Sequence, residues 1–152
     1  MVDDLPGYLK QYVRRGEFTL RSGRKTTVFY DLKAALCDVA ARREILHDME
    51  TKVMAASGAF LPAILCGGFG GAILGSMLAE RLRAPLVVYD EPRTRIIRPN
   101  TLPAVCIVLD DVKTTGDQLR ELRRIARQVG MRVIGELVVL DRSREDVGER
   151  EV

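Results

Sequence analysis

From residue 40 onward the apolar positions fall into two alternating kinds of pattern. Behind Asp38, a candidate N-cap, Ile45, Leu46, Met49, Val53 and Met54 recur at helical spacing and predict a helix over about Ala40–Ala56. The run PAILC (62–66) is continuously apolar and reads as a buried strand. GGFGG follows, and then a helix carrying Ile73, Met77, Leu78 and Leu82 on one face. PLVVY (85–89) and AVCIVL (104–109), the second bounded by Pro103 and Asp110, predict two more strands with a loop and no helix between them. A helix with Leu119, Leu122, Ile125 and Val129 on one face, closed by Gly130, leads to a last strand, RVIGELVVL (132–140). The order αβαββαβ predicts an α/β fold, a mostly parallel sheet with helices on both faces and right-handed crossovers. Ahead of it, a short helix over Leu9–Arg15 should stop at Gly16. A hairpin should follow, with Phe18 and Leu20 before a Ser22-Gly23 turn and Thr26–Leu32 after it.

Composition narrows the class without changing that picture. A chain of 152 residues is expected to form one domain, and it buries roughly 70% of its unfolded surface without needing disulfides. The formal charge of +3 is too mild to argue for nucleic acid but suits a small anionic ligand. No apolar run approaches the ~18 residues of a spanning helix, and the acidic start MVDDLPGYLK has no apolar core of a secretory signal. Cys37, Cys66 and Cys106 are odd in number and widely spaced; they read as reduced core residues of a cytoplasmic protein. His47, mid-helix among charges, reads as solvated.

Ligands of parallel sheets bind beyond the carboxyl ends of the strands. That rule makes Leu109-Asp110-Asp111-Val112-Lys113-Thr114-Thr115-Gly116-Asp117 the most informative stretch. Two adjacent carboxylates at a strand end can hold sugar hydroxyls or the hydration shell of Mg²⁺. The Thr-Thr-Gly turn offers hydroxyls and successive N–H groups at a helix N-terminus, which suits a phosphate. Together they describe a ribose-phosphate site; the competing reading is a polar strand-to-helix turn capped by Thr115 or Asp117.

Val108–Gly116 resembles the phosphoribosyl pyrophosphate (PRPP) signature of type I phosphoribosyltransferases. Phe18-Thr19-Leu20-Arg21-Ser22-Gly23-Arg24-Lys25-Thr26 and Val139-Leu140-Asp141-Arg142 are similar to motifs of the orotate phosphoribosyltransferase branch, and the similarity runs through about residues 8–145. The resemblance implies an α/β domain over 1–152: an N-terminal hood of helix plus hairpin (1–38), a core (39–142) and a tail (143–152). It implies transfer of ribose 5-phosphate from PRPP to a pyrimidine base, orotate above others, with Mg²⁺, in a homodimer. Residue by residue, Asp110 and Asp111 would hold the ribose hydroxyls directly or through Mg²⁺-bound water. Thr114, Thr115 and Gly116 would cradle the 5′-phosphate, Lys113 and Asp117 would belong to the same PRPP-binding stretch, and Gly67 and Gly68 would belong to the pyrophosphate loop. Arg21, Lys25, Phe29, Tyr30 and Arg142 would contact the base. Adjacent strand residues point to opposite faces, so one of Phe29 and Tyr30 is expected to be packing. The competing reading of Arg142 is a solvated strand-end charge, and Arg21 and Lys25 near the turn could equally be surface charges.

Three stretches depart from the family. The glycine segment Cys66–Ala72 matches the family's pyrophosphate loop in place or is simply a tight strand-to-helix turn with close helix packing, and it has Gly70 nearest the position where orotate enzymes carry a lysine. The family's loop rich in Lys and His is replaced by Asp90–Pro103, in which Arg93, Arg95 and Arg98 could supply charge to pyrophosphate or form a solvated basic loop. A guanidinium there is no ready proton donor. Asp117 places a carboxylate beside the phosphate turn, repulsive unless it turns away. The chain also ends soon after Arg142, so the family's last sheet and helix elements are expected to be shortened or absent. These departures support an alternative of another class, a non-catalytic homologue that senses PRPP or a nucleotide for a protein or nucleic-acid partner.

Overall fold

The computed structural model describes residues 5–20 and 23–143. The chain divides into two units, Met1–Ile45 and Leu46–Val152.

In the first unit α1 (Gly7–Lys10) is a single turn, and β1 (Val13–Thr19) begins where the expected helix should have continued. Val13, Arg14 and Arg15 pair with Tyr30, Phe29 and Val28 of β2 (Lys25–Tyr30). The β-branched and aromatic run of β2 rewards an extended partner more than a lone helix turn would be rewarded. Gly16 therefore does not stop a helix; it lies where the register shifts between Arg15 and Phe18. Phe18 stacks on Phe29 with centroids 5.4 Å apart. The expected return strand ends two residues early, because the Asp31 carboxylate accepts a hydrogen bond from Ala34 N at 3.2 Å and caps α2 (Leu32–Cys37), a helix the apolar pattern did not reveal. Asp38 caps the next helix as expected, its Oδ1 accepting from Ala40 N and Ala41 N. α3 (Val39–Ser57) begins in the first unit and continues into the second, and its Ile45, Leu46, Met49 and Val53 are buried. Met54 is 55% exposed, since a rotation of ~100° per residue puts it opposite Ile45.

The second unit is a five-stranded sheet in the order β5-β4-β3-β6-β7. β3 (Ala63–Gly67), β4 (Leu86–Asp90), β6 (Val105–Lys113) and β7 (Arg132–Asp141) are parallel. β5 (Arg95–Ile97) is an antiparallel edge strand, where no element was expected. A turn of 3-10 helix (Glu91–Arg93) with Thr94 in the left-handed region folds it back on β4. α5 (Asp117–Gln128) covers one face, placing Leu119, Leu122, Ile125 and Ala126 on Ala63, Leu65, Val87, Cys106 and Val108. α4 (Phe69–Leu82) buries Leu74 and Leu78, centred one residue beyond the expected Ile73 and Met77, and lies against Cys66 and Leu109 on the opposite face. The fold is thus α/β with helices on both sheet faces. Among the described residues no helix is long and apolar enough to cross a membrane.

Cys66 and Cys106 are buried and Cys37 is exposed at the end of α2. Burial, reinforced by the charge of Asp110, pushes the Cys66 thiol up to about 12, and burial pushes that of Cys106 up to about 11. Thiolates, not thiols, react with disulfide reagents. Titration of the native protein at pH 8 should therefore find one fast thiol, Cys37, and denaturation should release the other two; two fast native thiols would contradict the packing around β3 and β6.

Candidate functional site

The chain leaves β3 toward α4 and β6 toward α5 within a few residues, so the N-termini of both helices face the same carboxyl edge of the sheet. β3 lies in the middle with β4 on one side and β6 on the other. The connections diverge there, and a crevice opens at such a point. Both helix ends bring backbone N–H groups and the positive end of a dipole to it.

β6 runs four residues further than its apolar stretch, because Asp110, Val112 and Lys113 continue the ladder with Val138, Leu140 and Asp141 of β7. Asp110 and Asp111 thus stand within a strand, not beyond one. Asp111 N donates to Asp110 Oδ1 at 2.9 Å, and Val112 N donates to Asp111 Oδ1 at 3.0 Å. These local bonds hold both carboxylates at the sheet edge. A Cβ placed on Gly70 would overlap Asp111 Oδ2 and stand 2.6 Å from its Cγ, and one on Gly71 would be 3.5 Å from Asp110 Oδ1. Both acids therefore reach the first turn of α4, where the helix dipole favours negative charge. Gly67 ends β3, and Gly68, with φ +71°, is the N-cap of α4.

Thr114, Thr115 and Gly116 form the turn from β6 into α5. Gly116 is the N-cap with φ +83°, a conformation that side chains rarely adopt. The Thr115 hydroxyl accepts from Asp117 N at 3.3 Å, so the capping role is filled by Thr115 around Gly116. Asp117, the first residue of α5, pairs with Arg120. That guanidinium holds the Asp117 carboxyl below the usual carboxylate range, with the Thr115 contact adding to it. Arg120 also donates to Thr115 O at 3.3 Å, and the Lys113 side chain passes beside Gly116. The turn is thus flanked by two cations, and the repulsion expected from Asp117 is answered by a residue one helical turn on. The i,i+3 spacing of Asp117 and Arg120 was the available signal for it.

Arg142 follows β7, donates its N–H to Lys113 O at 2.7 Å and is only 3% exposed. A solvated strand-end charge it is not. At the end of β4, Asp90 pairs with Arg93 at 3.2 Å and with Arg95, on β5, at 3.5 Å. Arg98 donates to Pro99 O and Asn100 O. Two of the three arginines are therefore already matched by the acid that opens the segment. In the first unit, Lys25 is exposed on β2, Phe29 is 36% exposed and Tyr30 is buried, so Tyr30 is the packing member of the pair. Arg21 lies outside the described residues. The second unit thus brings together Asp110, Asp111, Gly67, Gly68, Lys113–Asp117 and Arg142.

Two further crevice residues carried no sequence signal. Phe69, between the glycines, is 69% exposed, and Gln118 in the first turn of α5 reaches back over Gly67.

No family model matches the chain. It is similar to orotate phosphoribosyltransferase from Aeropyrum pernix, 31% identical over an alignment of 152 positions that covers 90% of this chain and 75% of that protein. The enzyme of the same name from Methanosarcina mazei is 27% identical, over 91% of this chain and 75% of its own. The crystal structure of the Aeropyrum pernix orotate phosphoribosyltransferase superposes with a TM-score of 0.75, covering 99% of this chain and 86% of that one. Adenine phosphoribosyltransferase from Saccharomyces cerevisiae, at 15% identity, shares the fold with a TM-score of 0.71, over 95% of this chain and 91% of its own.

Proposed function

The chain belongs to the orotate phosphoribosyltransferase family, and from that premise we propose that the crevice beyond β3 and β6 transfers ribose 5-phosphate from PRPP to orotate, as a step of pyrimidine nucleotide synthesis. The observation that carries this reading is the placement of the Asp110 and Asp111 carboxylates against the glycine turn of α4, directly ahead of the Thr114–Asp117 turn that follows the same strand.

In the transfer, the bond from ribose C1 to the pyrophosphate oxygen breaks, a bond from C1 to the base nitrogen forms, and the proton of that nitrogen leaves to the departing pyrophosphate or to water. Positive charge develops on the ribose between the two events, so fixed charges and positioning provide most of the catalysis. The hydroxyls of Thr114 and Thr115 and the first N–H groups of α5 hold the 5′-phosphate, with Lys113 and Arg120 alongside. Gly67, Gly68 and the N-terminus of α4 receive the pyrophosphate. Asp110 and Asp111 take the ribose hydroxyls and set negative charge beside the cationic sugar. Arg142 supplies a charge-assisted bond to an anionic base, and Lys25 and Phe29 are assigned to the base by the family resemblance. Arg93 and Arg95 reach pyrophosphate only by leaving Asp90.

Mg²⁺ is the metal this chemistry implies. Among the described residues no three His, Cys, Asp or Glu side chains group to hold a metal ion. Mg²⁺ does not need such a cage, being bound commonly through one or two carboxylates together with substrate phosphates and water. Asp110 and Asp111 fit it in that manner. When bound, the ion neutralises charge on the leaving pyrophosphate. The homodimer belongs to the same proposal.

Purified protein given PRPP, Mg²⁺ and orotate should form orotidylate and release pyrophosphate, and should prefer orotate over uracil and adenine. PRPP binding by calorimetry without turnover on any base would overturn the enzyme reading in favour of a sensor.

A further inference from the structure

The first turn of α5 holds a group that the assignments above leave idle. Gln118 Nε2 is buried and has no hydrogen-bond partner among the described residues. A Cβ on Gly67 would stand 2.7 Å from that nitrogen, 3.2 Å from Tyr89 O and 3.4 Å from Leu122 Cδ2. The glycine that ends β3 thus leaves the space the amide occupies, beside Tyr89 O at the end of β4 and Leu122 of α5, while the backbone of Gln118 sits two residues beyond Gly116. A buried amide donor without an acceptor is unfavourable, and an apolar side chain of similar length would suit the unliganded fold better.

We propose that Gln118 is a substrate-binding residue, its carboxamide donating a hydrogen bond to an anionic oxygen of PRPP lodged between Thr114–Asp117 and Gly67–Gly68. The role rests on the PRPP reading of the crevice. Its donor is neutral, so it adds direction to a site whose charge comes from Lys113, Arg120 and the helix ends. Gln118 also spans from the element that holds the 5′-phosphate to the one that receives pyrophosphate. Its contact therefore forms only with a ligand that reaches the glycine turn.

The test compares wild type with Gln118→Met, which keeps length and removes the donor, and with Gln118→Glu, which keeps shape and reverses the polarity. PRPP and ribose 5-phosphate dissociation constants are measured by calorimetry with Mg²⁺, and Tm without ligand. Gln118→Met should weaken PRPP roughly tenfold, the size of one hydrogen bond to a charged oxygen. It should weaken ribose 5-phosphate, which lacks the pyrophosphate, far less, and its Tm should equal or exceed that of wild type. Gln118→Glu should weaken PRPP further still. Unchanged PRPP affinity in either variant, or a loss in Gln118→Met accompanied by a lower Tm, overturns the role while the functional reading stands. A wild type that binds no PRPP overturns both.

Discussion

Replacing Asp110 and Asp111 together by asparagine should cut orotidylate formation on the order of a thousandfold, judged by what removal of one preorganised charge-stabilising group costs other enzymes. Asparagine keeps the size of each side chain and an oxygen able to accept from Asp111 N or Val112 N, so the local bonds that hold the pair survive. What disappears is negative charge beside a ribose that becomes cationic, and the anionic oxygens that Mg²⁺ and the sugar hydroxyls need. The fold should persist: each carboxylate at the N-terminus of α4 contributes about 0.3–1 kcal/mol, a Tm change of a few degrees for a chain this long. Single variants separate the two acids. Their effects need not add, because the pair acts on one sugar. A double variant within tenfold of wild-type kcat/KM would remove these residues from the mechanism.

The parts of the fold that could be read from the chain are those whose residues are buried on both sides. β3, β4 and β6 are short apolar runs because helices cover both faces of the sheet, and α5 shows its buried face plainly because its other face carries Arg120, Arg123, Arg124 and Arg127. The N-terminal unit resists the same reading. Val13–Arg15 suit either a helix or a strand, and the choice is made by β2, a partner across the hairpin. α2 has six residues and is set by the Asp31 cap inside what looks like a continuing β run. β5 has three residues, with no apolar signal beyond Ile96 and Ile97.

The candidate site divides in the same way. Asp110 and Asp111 are visible because a polar pair interrupts an otherwise apolar strand. The partners that decide their behaviour are distant in sequence and are joined only by the sheet: Gly70 against Asp111, Gln118 over Gly67. Asp117 shows the limit of reading residue types singly. Alone it opposes a phosphate; paired with Arg120 it fixes a cation beside the phosphate turn.

Gly70 provides the second large effect, and its direction is opposite to what the family pattern suggests. Orotate enzymes usually place a lysine in this loop, so Gly70→Lys looks like a repair. In this chain the position is shut: any Cβ at residue 70 meets the Asp111 carboxylate. That carboxylate is the far end of a side chain and can swing away, so the conflict costs little stability. Alanine also suits a helix better than glycine does. The cost falls on function, because Asp111 can no longer stand where its oxygens face the ribose. A displacement of about 1 Å in a reacting group can cost ~100-fold in rate, and Gly70→Ala should lose kcat/KM by about that factor with Tm held within a few degrees. Gly70→Lys should lose at least as much, since its ammonium would pair with the displaced carboxylate rather than with pyrophosphate. Activity at or above wild type in Gly70→Lys would show that Asp111 works from another position, and that the close approach of α4 to the acid pair is incidental to the transfer.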